Sequence, residues 1–179
     1  MRNDATDPVQ GKGYPDISTR EFLRHLSVVM RNSARNSLSV ASSGSSAGSK
    51  SIFAIVDHDP HGFNILSVYK FGSIALAHEN HRLVVHEMKL LGVKNVDLGP
   101  LLNENSEANA AILPLTSHDR KKVKHLLEKG YIWTQEEWRC ELQRMLFMNL
   151  KAELQAIDVD NRGGLEAYLT RKLHVERSG

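Results

Sequence analysis

Two aspartates one residue apart, Asp57 and Asp59, stand directly behind the apolar run Ile52-Phe53-Ala54-Ile55-Val56 and directly ahead of Pro60 and Gly62. A short run rich in β-branched residues reads as a buried strand, and proline followed by glycine ends it. On extended backbone, residues two apart point to the same side, so this spacing offers both carboxylates together at the carboxyl end of a strand. Open α/β sheets hold their ligands at that edge. Two carboxylates so close repel each other unless a proton or a cation lies between them. A hard divalent ion such as Mg2+, which takes oxygen ligands and keeps several waters, suits the pair. The competing reading is that an aspartate behind a strand is only a turn former or a helix N-cap. Asp-x-Asp behind a strand also occurs in haloacid-dehalogenase-type phosphatases, but His61 stands where their pattern has Thr or Val.

The elements that must position this pair follow from periodicity. Ser18 to Glu21 has the form of a capping box, and Phe22, Leu23, Leu26, Val29 and Met30 recur at helical spacing. Asn32 to Lys50 is rich in serine, glycine and alanine and reads as a flexible insertion. Behind the aspartates, Phe63 to Phe71 predicts a helix ending at Gly72, its N-terminus facing the carboxylates. Leu83-Val84-Val85 reads as a strand, and Asp97 to Ala111 as loop. Thr116 or Ser117 caps a basic helix over Asp119 to Lys129, whose Arg120, Lys121, Lys122 and Lys124 are either a phosphate-facing patch or a wet face. A helical pattern runs from Gln135 to Ile157, and Leu165 to Leu173 forms a last helix. Helix, strand, acidic turn and helix in this order imply an α/β fold with a parallel sheet.

Composition narrows the classes. The 41% hydrophobic and 25% charged content is that of a globular protein, and no apolar run approaches membrane-spanning length. Cys140 is the single cysteine, which excludes an internal disulfide framework and fits a reducing compartment. A net charge of +2 is compatible with nucleic acid but does not argue for it. His78, His81 and His86 lie near one another without the cysteines or acids a zinc site would add.

Five blocks then occur in order: GKGYPD (11–16), IFAIVDHDPHG (52–62), YKFGS (69–73), LPLTSHDR (113–120) and WRCELQRMLFMNLKAELQA (138–156). Together, over residues 9–174, they resemble the Toprim domain of topoisomerase VI A subunits and the related meiotic proteins that make DNA double-strand breaks. The resemblance implies a Toprim-like, Rossmannoid parallel sheet flanked by helices, N-terminally incomplete, with a helical C-terminal part. Residues 1–8 would be a disordered N-terminus, 32–50 an insertion and 175–179 a tail. It also implies tyrosine transesterification of DNA, in which Asp57 and Asp59 match the metal-binding pair for Mg2+. Lys12, Tyr14 and Asp16 match the neighbouring loop, and they join His61 and Lys70 as expected DNA contacts.

The resemblance further implies three partners, in the nucleus on chromosomes: double-stranded DNA, a second copy of the same polypeptide, and a topoisomerase VI B-like subunit. The family's nucleophilic tyrosine belongs to a winged-helix domain, and none of Tyr14, Tyr69, Tyr131 or Tyr168 matches it. The glutamate of the first Toprim strand has no counterpart either. The chain is therefore expected to be the carboxyl part of a larger protein, inactive in cleavage by itself and poorly packed alone. Two alternatives stay open: a non-catalytic DNA- or partner-binding remnant, and a small Mg2+-dependent phosphotransfer enzyme using Asp57 as nucleophile.

Overall fold

The computed structural model describes residues 15–40, 51–103, 110–158 and 163–178. Lys12 and Tyr14 lie outside them, as do the central serines of the expected insertion. The elements are α1 (Ile17–Val40), β1 (Phe53–Ile55), α2 (Pro60–Phe71), α3 (Asn80–Leu83), β2 (Lys89–Gly92), α4 (Asn95–Asn103), β3 (Ile112–Pro114), α5 (Ser117–Leu127), α6 (Glu136–Met148), β4 (Leu150–Ala152), α7 (Gln155–Asp158) and α8 (Gly164–Ser178). Among the described residues no helix is long and apolar enough to cross a membrane.

The chain forms two compact units, Met1–Lys50 with Val68–His86, and Ser51–Ser67 with Glu87–Gly179. In the first, α1 packs on α3. Its N-cap is Asp16, not Ser18: the Asp16 carboxylate accepts from Thr19 N at 2.8 Å and Thr19 Oγ1 at 2.7 Å. These bonds, the backbone one foremost, hold the Asp16 carboxyl below its ordinary range. The helix also runs on to Val40, so 32–40 is helical rather than part of a flexible insertion. Leu83, Val84 and Val85 are buried but form no strand, because α3 ends at Leu83 and only Val85 N bonds across, to Tyr69 O at 2.9 Å. At Gly72 the chain takes φ 90° to leave α2, a conformation a side chain would resist.

The second unit holds the sheet. β1 and β2 pair in parallel, Phe53 opposite Lys89 and Ala54 opposite Leu90, with an irregularity before Ile55 meets Gly92. β3 and β4 pair antiparallel, Ile112 opposite Ala152. The two ladders meet where the backbone beyond β1 bridges to β4. There His58 N donates to Ala152 O at 2.9 Å and Ala152 N returns to His58 O at 3.1 Å. The spatial order is therefore β2, β1, β4, β3. The fold is α/β as expected, with a parallel pair and an added antiparallel pair rather than a wholly parallel sheet. Val93, Leu98, Leu101, Ile112, Ala152, Ala156, Ile157 and Tyr168 form one core cluster beneath it.

Two sequence expectations fail in this unit. The stretch from Asp97 is not loop: α4 covers Asn95–Asn103, with the Asp97 carboxylate accepting from Lys94 N at 2.9 Å and buried Leu98 and Leu101 inward. The pattern from Gln135 to Ile157 is not one helix. Asn149 adopts the left-handed conformation at φ 55° and stops α6, and β4 follows at once. Leu150 and Leu154 keep helical spacing by coincidence, since a three-residue strand is too short to display an alternation of its own.

Candidate metal centre

Asp57 and Asp59 lie just past the end of β1, and each is anchored through one oxygen. Asp57 Oδ1 accepts from Leu154 N at 2.7 Å, the amide two residues beyond β4. Asp59 Oδ1 accepts from Gly62 N at 2.6 Å. That bond makes Asp59 the N-cap of α2, with Pro60 in the first helical position, where its missing N–H costs nothing. The helix-cap reading of Asp59 drawn from the sequence thus holds, and it uses one of the two carboxylate oxygens.

Gly62 has a steric reason to be glycine. A Cβ there would collide with the carbonyl oxygen of Asp57 and press on the Val56 side chain at 3.1 Å. The helix therefore starts against the acidic turn, closer than any side chain permits.

The surroundings of Asp57 disfavour its charged form. Burial pushes its pKa up, the Leu154 N–H opposes this, and the negative charges of Asp59 and Glu153 push it up further. Between the two aspartates, His58 is fully buried on the opposite side of the strand. Its Nδ1–H donates to Val93 O at 3.2 Å, and its ring meets Phe63 edge-on at 6.4 Å. Burial lowers the His58 pKa, with Glu141, 3.9 Å from Nδ1, pulling the other way. Its Nε2 has no hydrogen-bond partner, so protonating it would bury an unpaired donor in the core. His58 is thus a neutral lock that holds the acidic turn by ring and backbone.

A second polar cluster fixes β4. Asp119 Oδ2 accepts from Thr116 N at 3.0 Å, Thr116 Oγ1 at 2.8 Å and Lys151 Nζ at 2.8 Å, while Asp119 N donates to Thr116 Oγ1 at 3.1 Å. This is the capping box of α5 with a strand lysine added. Burial alone would raise the Asp119 pKa, but the Lys151 and Thr116 bonds outweigh it and hold it at about 2. The sequence indicated the Thr116 cap but not the Lys151 bond, which depends on β4 being a strand.

Of the remaining expected contacts, His61 lies in the first turn of α2, beside α5: its Nδ1 is 2.7 Å from Lys122 Nζ, and its ring stacks on His118. Asp16 and Lys70, in the last turn of α2, belong to the other unit. Among the described residues no group of three or more His, Cys, Asp or Glu is arranged to hold a metal ion. The donor set is two carboxylates. Mg2+ tolerates so few protein ligands because it retains water and shares substrate phosphate.

Comparison with known proteins places this geometry. The family model for the Toprim domain of topoisomerase 6 A subunits and Spo11 matches residues 45–173. The chain is 32% identical over 171 residues to the meiotic recombination protein SPO11-1 of Oryza sativa subsp. indica, covering 94% of this chain and 39% of that protein. It is 31% identical over 166 residues to meiotic recombination protein SPO11 of Mus musculus, covering 92% and 36%. The A subunit of the type 2 DNA topoisomerase 6 of Aeropyrum pernix is 32% identical over 155 residues, covering 83% and 35%. The chain thus spans about two fifths or less of the length of these relatives.

Proposed function

Because this chain belongs to the family of Spo11 and the topoisomerase 6 A subunits and carries its Toprim domain, we propose that it is the Mg2+-binding part of a protein that breaks duplex DNA for meiotic recombination. In this reading Asp57 and Asp59 hold the ion beside a DNA phosphodiester. The nucleophilic tyrosine comes from a domain outside these 179 residues. The working assembly contains a second copy, one per DNA strand, together with a B-type subunit. It acts in the nucleus on chromosomes. Lys12, Tyr14, Asp16, His61 and Lys70 are the proposed DNA-facing residues.

The observation that carries this reading is the anchoring of the pair. Each carboxylate is fixed by a backbone N–H through Oδ1, and burial first, then the charges of Asp59 and Glu153, disfavour an ionised Asp57, which a bound cation would favour. When bound, the ion supplies Lewis-acid stabilisation of charge on phosphate and leaving oxygens. The chain's own residues set where that charge is met. Leu154 N and Gly62 N orient the carboxylates, His58 holds the strand between them, and Pro60 and Gly62 bring the helix start close.

The test is Mn2+ uptake followed by electron paramagnetic resonance, with Mg2+ as competitor. Asp57→Asn and Asp59→Asn preserve the Oδ1 acceptors and the helix cap, so both variants retain the fold. One displaceable ion per chain is expected, with affinity down tenfold or more in either variant. Unchanged uptake in both would refute the assignment.

A further inference from the structure

We propose that His61, His118 and Lys122 form a phosphate-backbone grip for duplex DNA, set beside the acidic turn and independent of any metal. The three side chains come from the N-terminal halves of two helices. His61 follows the α2 cap by two residues, and His118 and Lys122 lie four apart on α5, hence on one face of it. The His61 and His118 rings stack with centroids 6.3 Å apart and planes inclined by 27°. Lys122 Nζ lies 2.7 Å from His61 Nδ1. An ammonium has donors and no acceptor, so this contact uses the lone pair of Nδ1 and leaves Nε2 as the protonated nitrogen. His61 is thereby oriented as a donor.

The partner chosen by Lys122 is what marks the cluster. Other cations of this unit are tied to carboxylates: Lys151 to Asp119, Lys94 to Glu137, Lys172 to Asp97 and Arg144 to Glu141. Lys122 meets an imidazole nitrogen instead of a carboxylate, a contact that brings it no negative charge. His61 and His118 are both exposed. A pinned ammonium beside imidazole N–H donors on an open surface suits the oxygens of a phosphodiester, which accept from side-chain N–H groups regardless of base sequence. Arg120, Lys121 and Lys124 are a solvated remainder of the same basic helix.

The inference rests on the family reading that the substrate is duplex DNA, but not on the ion. Its test is fluorescence anisotropy of a labelled DNA duplex with the chain in EDTA, read from 50 to 200 mM KCl. One phosphate contact contributes a slope of about 0.9 in log–log form, or about 3.5-fold over this range. Lys122→Gln is expected to flatten the dependence by that amount, and Lys122→Arg to restore it. The double variant His61→Gln, His118→Gln is expected to weaken binding with little effect on slope, and Lys124→Gln to do neither. Ten millimolar inorganic phosphate at matched ionic strength is expected not to compete.

Equal slopes for Lys122→Gln and Lys124→Gln would overturn the proposal. So would histidine variants that lower the melting temperature while leaving DNA binding intact, since the cluster would then be structural. Displacement by inorganic phosphate would assign the site to a free oxyanion instead. Loss of Mn2+ uptake with this slope intact would defeat only the metal assignment, and the converse only this one.

Discussion

Replacing Asp119 by Asn should weaken the fold at neutral pH and do almost nothing in strong acid. Asp119 is 4% exposed and accepts three hydrogen bonds at one oxygen, including the Lys151 ammonium at 2.8 Å. Its carboxyl sits at about 2 against an ordinary 3.8. At about 1.4 kcal/mol per pH unit that difference amounts to roughly 2–3 kcal/mol. Lys151 keeps 23% of its side chain exposed, so solvent screening trims the figure to about 2 kcal/mol. The sign follows from proton counting. Between the two pKa values the unfolded chain binds more protons, so stability from this group is complete above pH 4 to 5. It is lost as pH falls through about 2.

Urea unfolding followed by tryptophan fluorescence, at pH 7 and again at pH 3, measures this. The wild type should lose only about half of its advantage over Asp119→Asn between those values, the rest going as pH falls through about 2. A Lys151→Met double-mutant cycle should return most of the coupling at pH 7. An Asp119→Asn penalty that is the same at both pH values would refute the argument, because it would show that capping geometry and not charge sets the energy.

Three further outcomes follow from the same contacts. In metal-free buffer, Asp57→Asn should be more stable than the wild type. Its raised pKa means that ionisation costs native stability as pH rises above the ordinary 3.8, and thermal melts at pH 3 and 8 should show the gap widening with pH. Gly62→Ala should cost about 1–3 kcal/mol, because the new Cβ meets backbone that cannot yield; an unchanged urea midpoint would contradict it. Tyr168→Phe should cost about 1.5 kcal/mol by removing the 2.8 Å bond from its hydroxyl to Asp97 Oδ2, a carboxylate that keeps Lys94 N and Lys172 as partners. The loss should shrink in the Asp97→Asn background.

The parts of the fold legible in the sequence are those whose signals are local. The run ending at Val56, the proline and glycine behind the aspartates, and the Thr116 cap each report on a few adjacent residues, and β1, α2 and α5 lie where they indicate. What escaped depends on partners far along the chain. β4 is three residues that earn strand geometry from Ile112–Pro114 on one side and His58 on the other, while its leucines sit at helical spacing. Leu83-Val84-Val85 has the composition of a strand but follows a helical turn. The aspartate pair stands out in the sequence by spacing, whereas the Leu154 amide that anchors Asp57 lies 97 residues away, and the Lys151 ammonium that anchors Asp119 lies 32 away. The place of His118 beside His61 likewise needed two helix starts to be brought together.

The capping bond of Asp59 bears on how the lineage can be traced. A side chain that starts a helix is kept by selection for folding whatever else it does, so its survival in a divergent copy says little about chemistry. Asp57 starts no helix and, when ionised without a counter-charge, burdens the native state. If the proposed ion is what offsets that burden, copies of the domain that no longer hold one should lose the charge of Asp57 before that of Asp59.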